Sequence, residues 1–378
     1  MKRKVVSFVM AAVMTAALAG CGNSSSAGNQ EAQPQQGGQT PAQTQEQANA
    51  NANASALEET QPAQTGDGMV YKVGIVQYVD DASLNQIRKS IESMLIISGE
   101  TSGITYDFEH YSHNGQADAT VLNQIAADLV ADEVDIIIPI ATPAAMIMQN
   151  ATEDNQIPVV FSAVSDPVGA GLVASNDAPG ANITGTSDAI DTEAIFGLIM
   201  AVNPDTDKVG LLYDKSQAGS LQSIADAKAY CDANGIAYVE KTGTTTAEIQ
   251  AAADALVAEQ VDAVFTPQDN TIMTAELAIF EKFIDAKIPH YTGADSFALN
   301  GAFCGYGVNY ENLGTVTADM AIDILVNGKD PATMPVKTLS DGIITINTET
   351  AEAIGLDYSV LEGMGSELRE TVTAQEFE

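Results

Sequence analysis

Residues 135–150, DIIIPIATPAAMIMQN, contain an apolar run that ends at a threonine and a proline before a second apolar stretch begins. The pattern predicts a buried strand followed by a helix, with Thr142 as the N-cap and Pro143 at the first helical position. The main-chain N–H groups of Ala144 and Ala145 would then be free at a helix N-terminus, which can bind an anion without a basic side chain. The alternative is that Thr142 only starts a helix.

Carboxylates follow other predicted strands. Asp166 and Asp295 each come after an apolar strand, and Asp269 occupies, in an internal repeat of the chain, the position equivalent to Thr142. Asp269 could simply cap the helix that follows it, and Asp166 could start a turn with the proline after it. Taken together, an anion-binding helix end on one wall and carboxylates on others would bind a zwitterion such as an amino acid.

Further candidates stand at the same strand ends. Because ligands of open parallel sheets bind beyond the carboxyl ends of the strands, we expect all of them to border one cleft. The candidate ligand-binding residues at strand ends are Gln77, Tyr78, Ala141, Thr142, Ala144, Ala145, Ser162, Asp166, Tyr213, Gln268, Asp269, Asn270 and Asp295. Four aromatic residues lie nearby and could stack on a ligand side chain, with core packing as the alternative for each. They are Tyr78, Tyr213, Phe297 and Tyr306.

The elements that must position these residues repeat one pattern. The segment YKVGIVQYVDDASLNQIRKSIESM matches DKVGLLYDKSQAGSLQSIADAKAY, and a later pair of segments places Asp135 against Asp262. Each half alternates strands and helices, and its near-continuous apolar strands are typical of parallel sheets covered on both faces. The chain continues after both halves are complete, which indicates several crossings between them. We therefore predict an α/β fold of two doubly wound parallel-sheet lobes joined by a hinge.

The start of the chain is typical of an export signal. Basic residues precede an apolar run and small residues, so residues 1–20 are predicted to be a signal peptide. The sequence LAGC resembles a bacterial lipobox, which implies lipidation of Cys21, with an ordinary signal peptide or an uncleaved anchor as alternatives. Residues 21–68 are nearly all small and polar, which predicts a lipidated disordered tether. We expect a protein held by lipid on the extracytoplasmic face of the cell membrane.

Composition narrows the choice of partners. The chain has 51 Asp and Glu against 15 Lys and Arg, a net charge of −36. Such a surface repels nucleic acid and anionic lipid, so nucleic acid is not an expected partner. Residues 69–378 exceed the size at which a single core keeps growing, which predicts two domains.

The chain offers little material for catalysis or metal binding. It has three histidines and no CxxC, HExxH, P-loop, GxGxxG or GxSxG pattern, so we predict no enzyme, no metal and no cofactor. Cys231 and Cys304 could pair, or they could be two separate buried thiols.

Several segments, taken in order, resemble a known family. They are KVGIVQYVDDASLNQIRKSI, IIIPIATPAAMIMQN, IPVVFSAVSDPVGAGLV, NITGTSD, NPDTDKVGLLYDKS, FTPQDNTI and GVNYENLGTVTADMAIDIL. They are similar to the substrate-binding proteins of ABC transporters in the tryptophan/tyrosine-type group, which have the type I periplasmic-binding-protein fold. The resemblance implies a lipoprotein that delivers a small solute to a membrane permease and its ATPase subunit. Ser187 and Asp188, in the segment NITGTSD, complete the ligand-binding candidates.

These patterns lead to specific lobe boundaries and to more than one possible ligand. We predict lobe 1 as residues 69–187 plus 305–335, and lobe 2 as residues 188–304 plus 336–378. The expected ligand is a neutral or aromatic amino acid. A sugar or nucleoside is the alternative, because aromatic stacking with Asp, Asn and Gln also holds carbohydrates. A ligand sensor with the same fold would carry the same sequence features.

Overall fold

The computed structural model describes residues 68–374, and the predicted signal peptide, Cys21 and residues 22–67 of the tether lie outside this range. Within it the strands are β1 (Val70–Gln77), β2 (Thr105–Asp107), β3 (Ser112–Asn114), β4 (Ile136–Ile140), β5 (Val159–Phe161), β6 (Ile183–Ser187), β7 (Lys208–Tyr213), β8 (Ala237–Thr242), β9 (Ala263–Thr266), β10 (His290–Thr292), β11 (Cys304–Gly307), β12 (Lys337–Thr338), β13 (Ile343–Asn347) and β14 (Glu367–Thr371). The α-helices are α1 (Ala82–Ser102), α2 (Ala119–Ala131), α3 (Thr142–Thr152), α4 (Thr192–Val202), α5 (Ala218–Asn234), α6 (Thr246–Ala258), α7 (Asn270–Ala275), α8 (Phe280–Ala286), α9 (Asp295–Leu299), α10 (Tyr310–Asn327) and α11 (Thr348–Ile354).

The strands form two largely parallel sheets. The first has the order β12-β6-β5-β4-β1-β2, with β3 also paired to β1, and all its pairs are parallel. The second has the order β14-β13-β11-β10-β9-β7-β8, and its one antiparallel pair among the described residues is β11 with β13. Strands such as β4 are buried along their whole length because helices cover both faces of the sheet. The predicted fold of two doubly wound lobes is confirmed.

The chain crosses between the lobes three times within the described residues, after β6, after β11 and after β12. Helix α10 returns to pack against α1 of the first lobe. Lobe 1 therefore consists of residues 70–187 and 310–338, and lobe 2 of residues 192–307 and 343–371. Asp188, the first residue of the crossing after β6, is bound to lobe 1, because its carboxylate accepts the Ser165 hydroxyl at 3.0 Å.

Two of the predicted lobe boundaries differ from these. Residues 305–307, expected in lobe 1, belong to β11, which pairs with β10 and β13 in lobe 2. Lys337 and Thr338, expected in lobe 2, pair with Thr186 and Ser187 in lobe 1. The hinge follows each of these strands, because a strand remains hydrogen-bonded to its sheet up to its last residue.

The internal repeat persists at the level of single hydrogen bonds. In lobe 1 the Asp135 carboxylate accepts the main-chain N–H of Lys72 at 2.7 Å. In lobe 2 the Asp262 carboxylate accepts the main-chain N–H of Lys208 at 2.9 Å. In both lobes, the aspartate that precedes one central strand, β4 or β9, accepts a main-chain N–H from near the start of the adjacent strand, β1 or β7. The carboxyl ends of these strands therefore lie at equivalent places in the two lobes.

The lobes are packed against each other. One cluster of buried apolar side chains runs from Leu84 and Ala141 in lobe 1 to Met273 and Phe297 in lobe 2. Contact of this kind excludes water between the lobes and stabilises a closed arrangement. Within residues 68–374 no helix combines the length and apolarity that crossing a bilayer requires.

Candidate functional site

A cavity of about 30 Å³ lies between the lobes, beyond the carboxyl ends of β1, β4, β5 and β6 and of β9 and β10. It is lined by Asp81, Ser83, Leu84, Ala141, Thr142, Ala163, Ser165, Asp188, Gln268, Asn270, Met273, Ala294, Phe297 and Tyr310. This is the edge at which open parallel sheets bind ligands. A volume of this size holds roughly one or two water molecules, so a larger ligand requires the lobes to part.

The structure divides the predicted site residues into two groups. Those that line the cavity are Ala141, Thr142, Asp188, Gln268 and Asn270. Those that do not are Gln77, Tyr78, Ala144, Ala145, Ser162, Asp166, Ser187, Tyr213, Asp269 and Asp295. Strand ends therefore locate the cavity, but they do not by themselves tell which side chains face it.

The start of α3 contradicts the predicted capping role of Thr142. Thr142 is the first residue of the helix, and the N-cap is Ala141, which has φ 81° and makes no side-chain hydrogen bond. The Ala145 N–H, predicted to be free, donates to the Ala141 carbonyl at 3.1 Å. Because Pro143 has no N–H, the donors without a partner at this helix start, within residues 68–374, are the N–H groups of Thr142 and Ala144. Of these two residues only Thr142 lines the cavity, so the positive end of α3 borders the cavity at Thr142.

Two alanines that line the cavity have a backbone conformation that favours glycine. Ala141 has φ 81° and Ala163 has φ 54°. Non-glycine residues in this region cost conformational energy, and they persist where the surrounding structure holds them. Both residues follow strands of lobe 1, so this cost in conformational energy arises beside the cleft between the lobes.

Asp269 acts as a structural cap. One carboxylate oxygen accepts the N–H groups of Thr271 and Ile272 at 3.0 Å each, and the other accepts the Asp214 N–H and the Ser220 hydroxyl at 2.8 Å each. Burial raises the pKa of Asp269 to about 6 in spite of these bonds. Since its own lobe already supplies two donors to each oxygen, Asp269 holds together the turns after β7 and β9.

Ser162 and Tyr213 point into the interiors of their lobes. The Ser162 hydroxyl lies 2.9 Å from the Thr317 hydroxyl of α10 and 3.2 Å from that of Thr186. The Tyr213 hydroxyl donates to Glu240 at 2.7 Å, and burial together with this carboxylate raises the pKa of Tyr213 to about 12. Both side chains stabilise a lobe and neither reaches the cavity.

Three more candidates serve the local structure. The Gln77 amide donates to Asn85 at 2.8 Å, and the Asp166 carboxylate accepts the Gly169 N–H at 2.8 Å in a turn. Ser187 is buried and donates to a main-chain carbonyl at 3.4 Å. The two roles considered for Asp166 were ligand binding and the start of a turn, and the bond to Gly169 belongs to a turn.

Phe297, one of the four aromatic residues considered for stacking, lines the cavity. Eight further lining residues were not among the sequence candidates: Asp81, Ser83, Leu84, Ala163, Ser165, Met273, Ala294 and Tyr310. Asp81 is the N-cap of α1, where its side chain accepts the N–H groups of Ser83 and Leu84. The sequence DDAS after β1 carried that signal, because an acidic N-cap follows a strand there. Tyr310 is separated from β11 by the crossing from lobe 2 to lobe 1. The order of strands and helices in the sequence therefore does not indicate that Tyr310 lies at the cavity.

Three buried carboxyl groups surround the cavity. Asp81 and Asp188 line it, and Asp295 lies behind Ser83. Burial raises the pKa of each of the three carboxyls to about 6. No lysine, arginine or histidine is among the lining residues, and Arg369 acts on Asp295 from the far side. The cavity therefore favours a ligand that brings a positive charge.

Hydrogen bonds cross between the lobes at two places. The Ser83 hydroxyl of α1 donates to Asp295 and accepts the Ser296 N–H at 3.2 Å, both at the start of α9. The Gln268 side chain donates to the main-chain carbonyl of Asp188. Each bond joins groups of the two lobes in this arrangement, so each contributes to holding the lobes together.

A larger groove of about 770 Å³ lies on the outer side of Asp295, along β14 and the starts of α10 and α11. It is open, and it lies off the carboxyl ends of the central strands. We therefore place the functional site in the cavity between the lobes.

Cys231 and Cys304 do not form a disulfide bond with each other. Cys231 and Cys304 are free and buried, and burial raises the pKa of both, that of Cys231 to about 11. Across residues 68–374, no group of three or more His, Cys, Asp or Glu side chains is arranged to hold a metal ion.

Comparisons with known proteins agree with this geometry. Residues 72–361 match the family model described as ABC transporter substrate binding protein. A tyrosine-binding protein of Clostridioides difficile is 33% identical over 286 residues, which are 75% of this chain and 81% of the relative.

Two solved structures are similar over most of the chain. An ABC domain from Streptococcus pneumoniae in complex with L-Trp has a TM-score of 0.72 and 30% identity, and the match covers 79% of this chain and 99% of that one. The ligand-free, open structure of a substrate-binding protein with adhesive properties from Clostridium difficile has a TM-score of 0.62 and 32% identity, covering 80% and 100%. The lower of the two scores belongs to the open structure, in agreement with the contact between the lobes described above.

Proposed function

Because the chain belongs to the family of ABC transporter substrate-binding proteins, which are not enzymes, we propose that its ligand is a neutral L-amino acid with an aromatic side chain. Relatives described as binding tyrosine and L-Trp, each at least 30% identical, support this ligand class. The protein captures the amino acid between its lobes and delivers it to a membrane permease with an ATPase subunit.

The charge arrangement of the cavity carries the proposal. Asp81 and Asp188 line the cavity with carboxylates, and Thr142, whose N–H has no partner at the start of α3, lines it as well. No basic side chain lines the space. A zwitterion satisfies both kinds of group, since its ammonium group pairs with carboxylates and its carboxylate accepts main-chain N–H groups.

The side chain of the ligand has apolar partners. Leu84, Met273, Phe297 and Tyr310 line the cavity, and all four belong to the buried apolar cluster that joins the lobes. An aromatic ring placed here would take over part of this apolar contact, so its burial would favour closure.

The chain without its leader is proposed to be a lipoprotein. Cys21 at the end of LAGC would carry the lipid, and residues 22–68 would tether the folded lobes to the extracytoplasmic face of the membrane. A Cys21→Ala variant should lose incorporation of labelled fatty acid and appear in the medium or soluble fraction. Labelling that persists in this variant would contradict the anchor.

Calorimetric titration of the purified protein with aromatic amino acids, sugars and nucleosides tests the ligand class. We expect heat with an aromatic L-amino acid, and weaker binding by Asp188→Asn. Heat with a sugar or nucleoside and none with amino acids would contradict the proposal. The chain has no tryptophan, so indole emission also reports bound L-tryptophan directly.

Uptake separates transport from sensing. Cells that lack the protein should take up less of the labelled amino acid. Unchanged uptake with a lost cellular response would indicate a sensor.

A further inference from the structure

Gln268 stands at the point where the two lobes and the cavity meet. It follows β9 of lobe 2, lines the cavity and donates from Nε2 to the main-chain carbonyl of Asp188 in lobe 1. Its other amide atom, Oε1, is buried and has no hydrogen-bond partner among the described residues. One side-chain amide thus has a bond to the opposite lobe and an unused acceptor.

The direction of this amide follows from its partner. A main-chain carbonyl only accepts hydrogen bonds, so the NH₂ end of Gln268 must face the Asp188 carbonyl. The alternative rotamer would place two oxygens against each other. The unused Oε1 is therefore a fixed feature of the closed lobes, and it can be satisfied only by a donor.

Two polar side chains that line the cavity with Gln268 already donate to other acceptors. The nearby Ser165 hydroxyl donates to the Asp188 carboxylate at 3.0 Å, and the Asn270 amide donates to Gln217 at 3.2 Å. A buried acceptor without a partner disfavours the closed state. A ligand N–H that reaches Oε1 removes this cost only when the lobes are closed.

We propose that Gln268 makes closure depend on the amino group of the ligand: Nε2 holds the Asp188 carbonyl of the opposite lobe, and Oε1 accepts an N–H of the ligand's ammonium group. This assignment rests on the proposed amino-acid ligand and adds a positioning and specificity role to one residue. A ligand with the same ring and carboxylate but no amino group leaves Oε1 unsatisfied, so it closes the lobes less completely.

The test compares two ligands in matched variants. L-tyrosine and its des-amino analogue, 3-(4-hydroxyphenyl)propanoate, are titrated into the wild-type protein and into Gln268→Met, which keeps the length of the side chain and removes both polar atoms. The ratio of the two affinities isolates the amino group, because the lost bond to Asp188 weakens both ligands alike. We expect this ratio to fall by about tenfold or more in Gln268→Met.

Two further variants separate the two ends of the amide. Gln268→Glu keeps acceptors and loses the N–H donor, so the ratio should be retained or increased, because a carboxylate pairs with an ammonium group at least as well as an amide oxygen does. Gln222→Met makes the same chemical change at an exposed side chain of α5 that does not line the cavity, and it should leave the ratio at its wild-type value.

An unchanged ratio in Gln268→Met would overturn the proposal and leave Gln268 as a lobe-to-lobe contact only. Unfolding temperatures of the ligand-free variants within a few degrees of wild type establish that the fold is intact, and Gln268→Ala repeats the comparison if Gln268→Met is unstable. Failure of the proposed function looks different, because the wild-type protein itself would then not bind L-tyrosine or any other amino acid.

Discussion

The hydroxyl of Ser83, in the first turn of α1, donates to the carboxylate of Asp295 in the other lobe. The same oxygen accepts the Ser296 N–H at 3.2 Å, so one small side chain of lobe 1 is held twice at the start of α9. The two residues are far apart in the sequence and meet only when the lobes close.

Removal of this hydroxyl should weaken the closed state. Ser83→Ala removes the donor to Oδ1 of the buried Asp295, and a hydrogen bond to a charged group is worth about 1.5–3 kcal/mol. We therefore expect ligand affinity measured by calorimetry to fall by about tenfold or more. Ser93→Ala is the matched control, because that serine lies on the exposed face of the same helix and donates to the Lys89 carbonyl. Equal affinity of Ser83→Ala and wild type would contradict the role of this bond.

Acidic pH should stabilise the ligand-free protein. The pKa of Asp81, Asp188 and Asp295 is raised to about 6 by burial, above the ordinary value of 3.8. Between pH 6.5 and about 4.5 the folded state binds protons that the unfolded state does not, so its stability rises as the pH falls. Carboxyls whose pKa is lowered, such as Asp118, oppose this only at still lower pH. We expect the unfolding temperature to rise by a few degrees from pH 7 to pH 5.

Ligand affinity should change in the opposite direction over the same range. Protonation of Asp188 removes a partner of the ligand's ammonium group, so calorimetry at pH 5 should give weaker binding than at pH 7. Asp188→Asn should reduce both trends, whereas Asp154→Asn, at an exposed position, should keep them. Affinity that rises with acidity would contradict the pairing of ammonium and carboxylate.

Thr142 should matter for the ligand and not for the helix. Since the Thr142 side chain makes no capping bond, Thr142→Val should leave the free energy of unfolding nearly unchanged and weaken ligand binding. Asp118 is a true cap that accepts the N–H groups of Thr120 and Val121, so Asp118→Ala should lower the free energy of unfolding and leave affinity unchanged. Chemical denaturation and calorimetry of both variants check this. Lost stability with unchanged affinity in Thr142→Val would support a purely structural role.

Gly219 should be required for closure. A Cβ at this position would lie 3.2 Å from the Thr142 hydroxyl and 3.6 Å from the Ser165 hydroxyl of the opposite lobe. A β-branched side chain does not fit, so Gly219→Val should hold the lobes apart, increase the radius of gyration in solution scattering with ligand present, and weaken binding. Gly197→Ala, where nothing lies within 4 Å of the new Cβ, should instead be neutral or stabilise α4 by about 0.5–1 kcal/mol. Compact, tightly binding Gly219→Val would contradict this account.

The sequence alone determined the architecture and the edge of the sheets at which the cavity lies. Apolar strands alternating with amphipathic segments specify covered parallel sheets, and the duplicated pattern specifies two of them. The equivalent Asp135 and Asp262 each bind the main-chain N–H of a lysine in the adjacent strand, at the same place in both halves. These features are local in the chain, so a linear pattern can show them.

Only the tertiary structure decided which strand-end residues face the cavity. Thr142 and Ser162 both follow or end strands of lobe 1, but α10, which crosses back from the hinge, covers Ser162 and binds it through Thr317. The cap of α3 depended on the positive φ of Ala141, which no propensity for alanine indicates. Ser83 and Asp295, and likewise Gln268 and Asp188, come together only through closure of the lobes. Long-range packing sets the direction of these side chains, and for that reason neither residue type nor spacing could predict them.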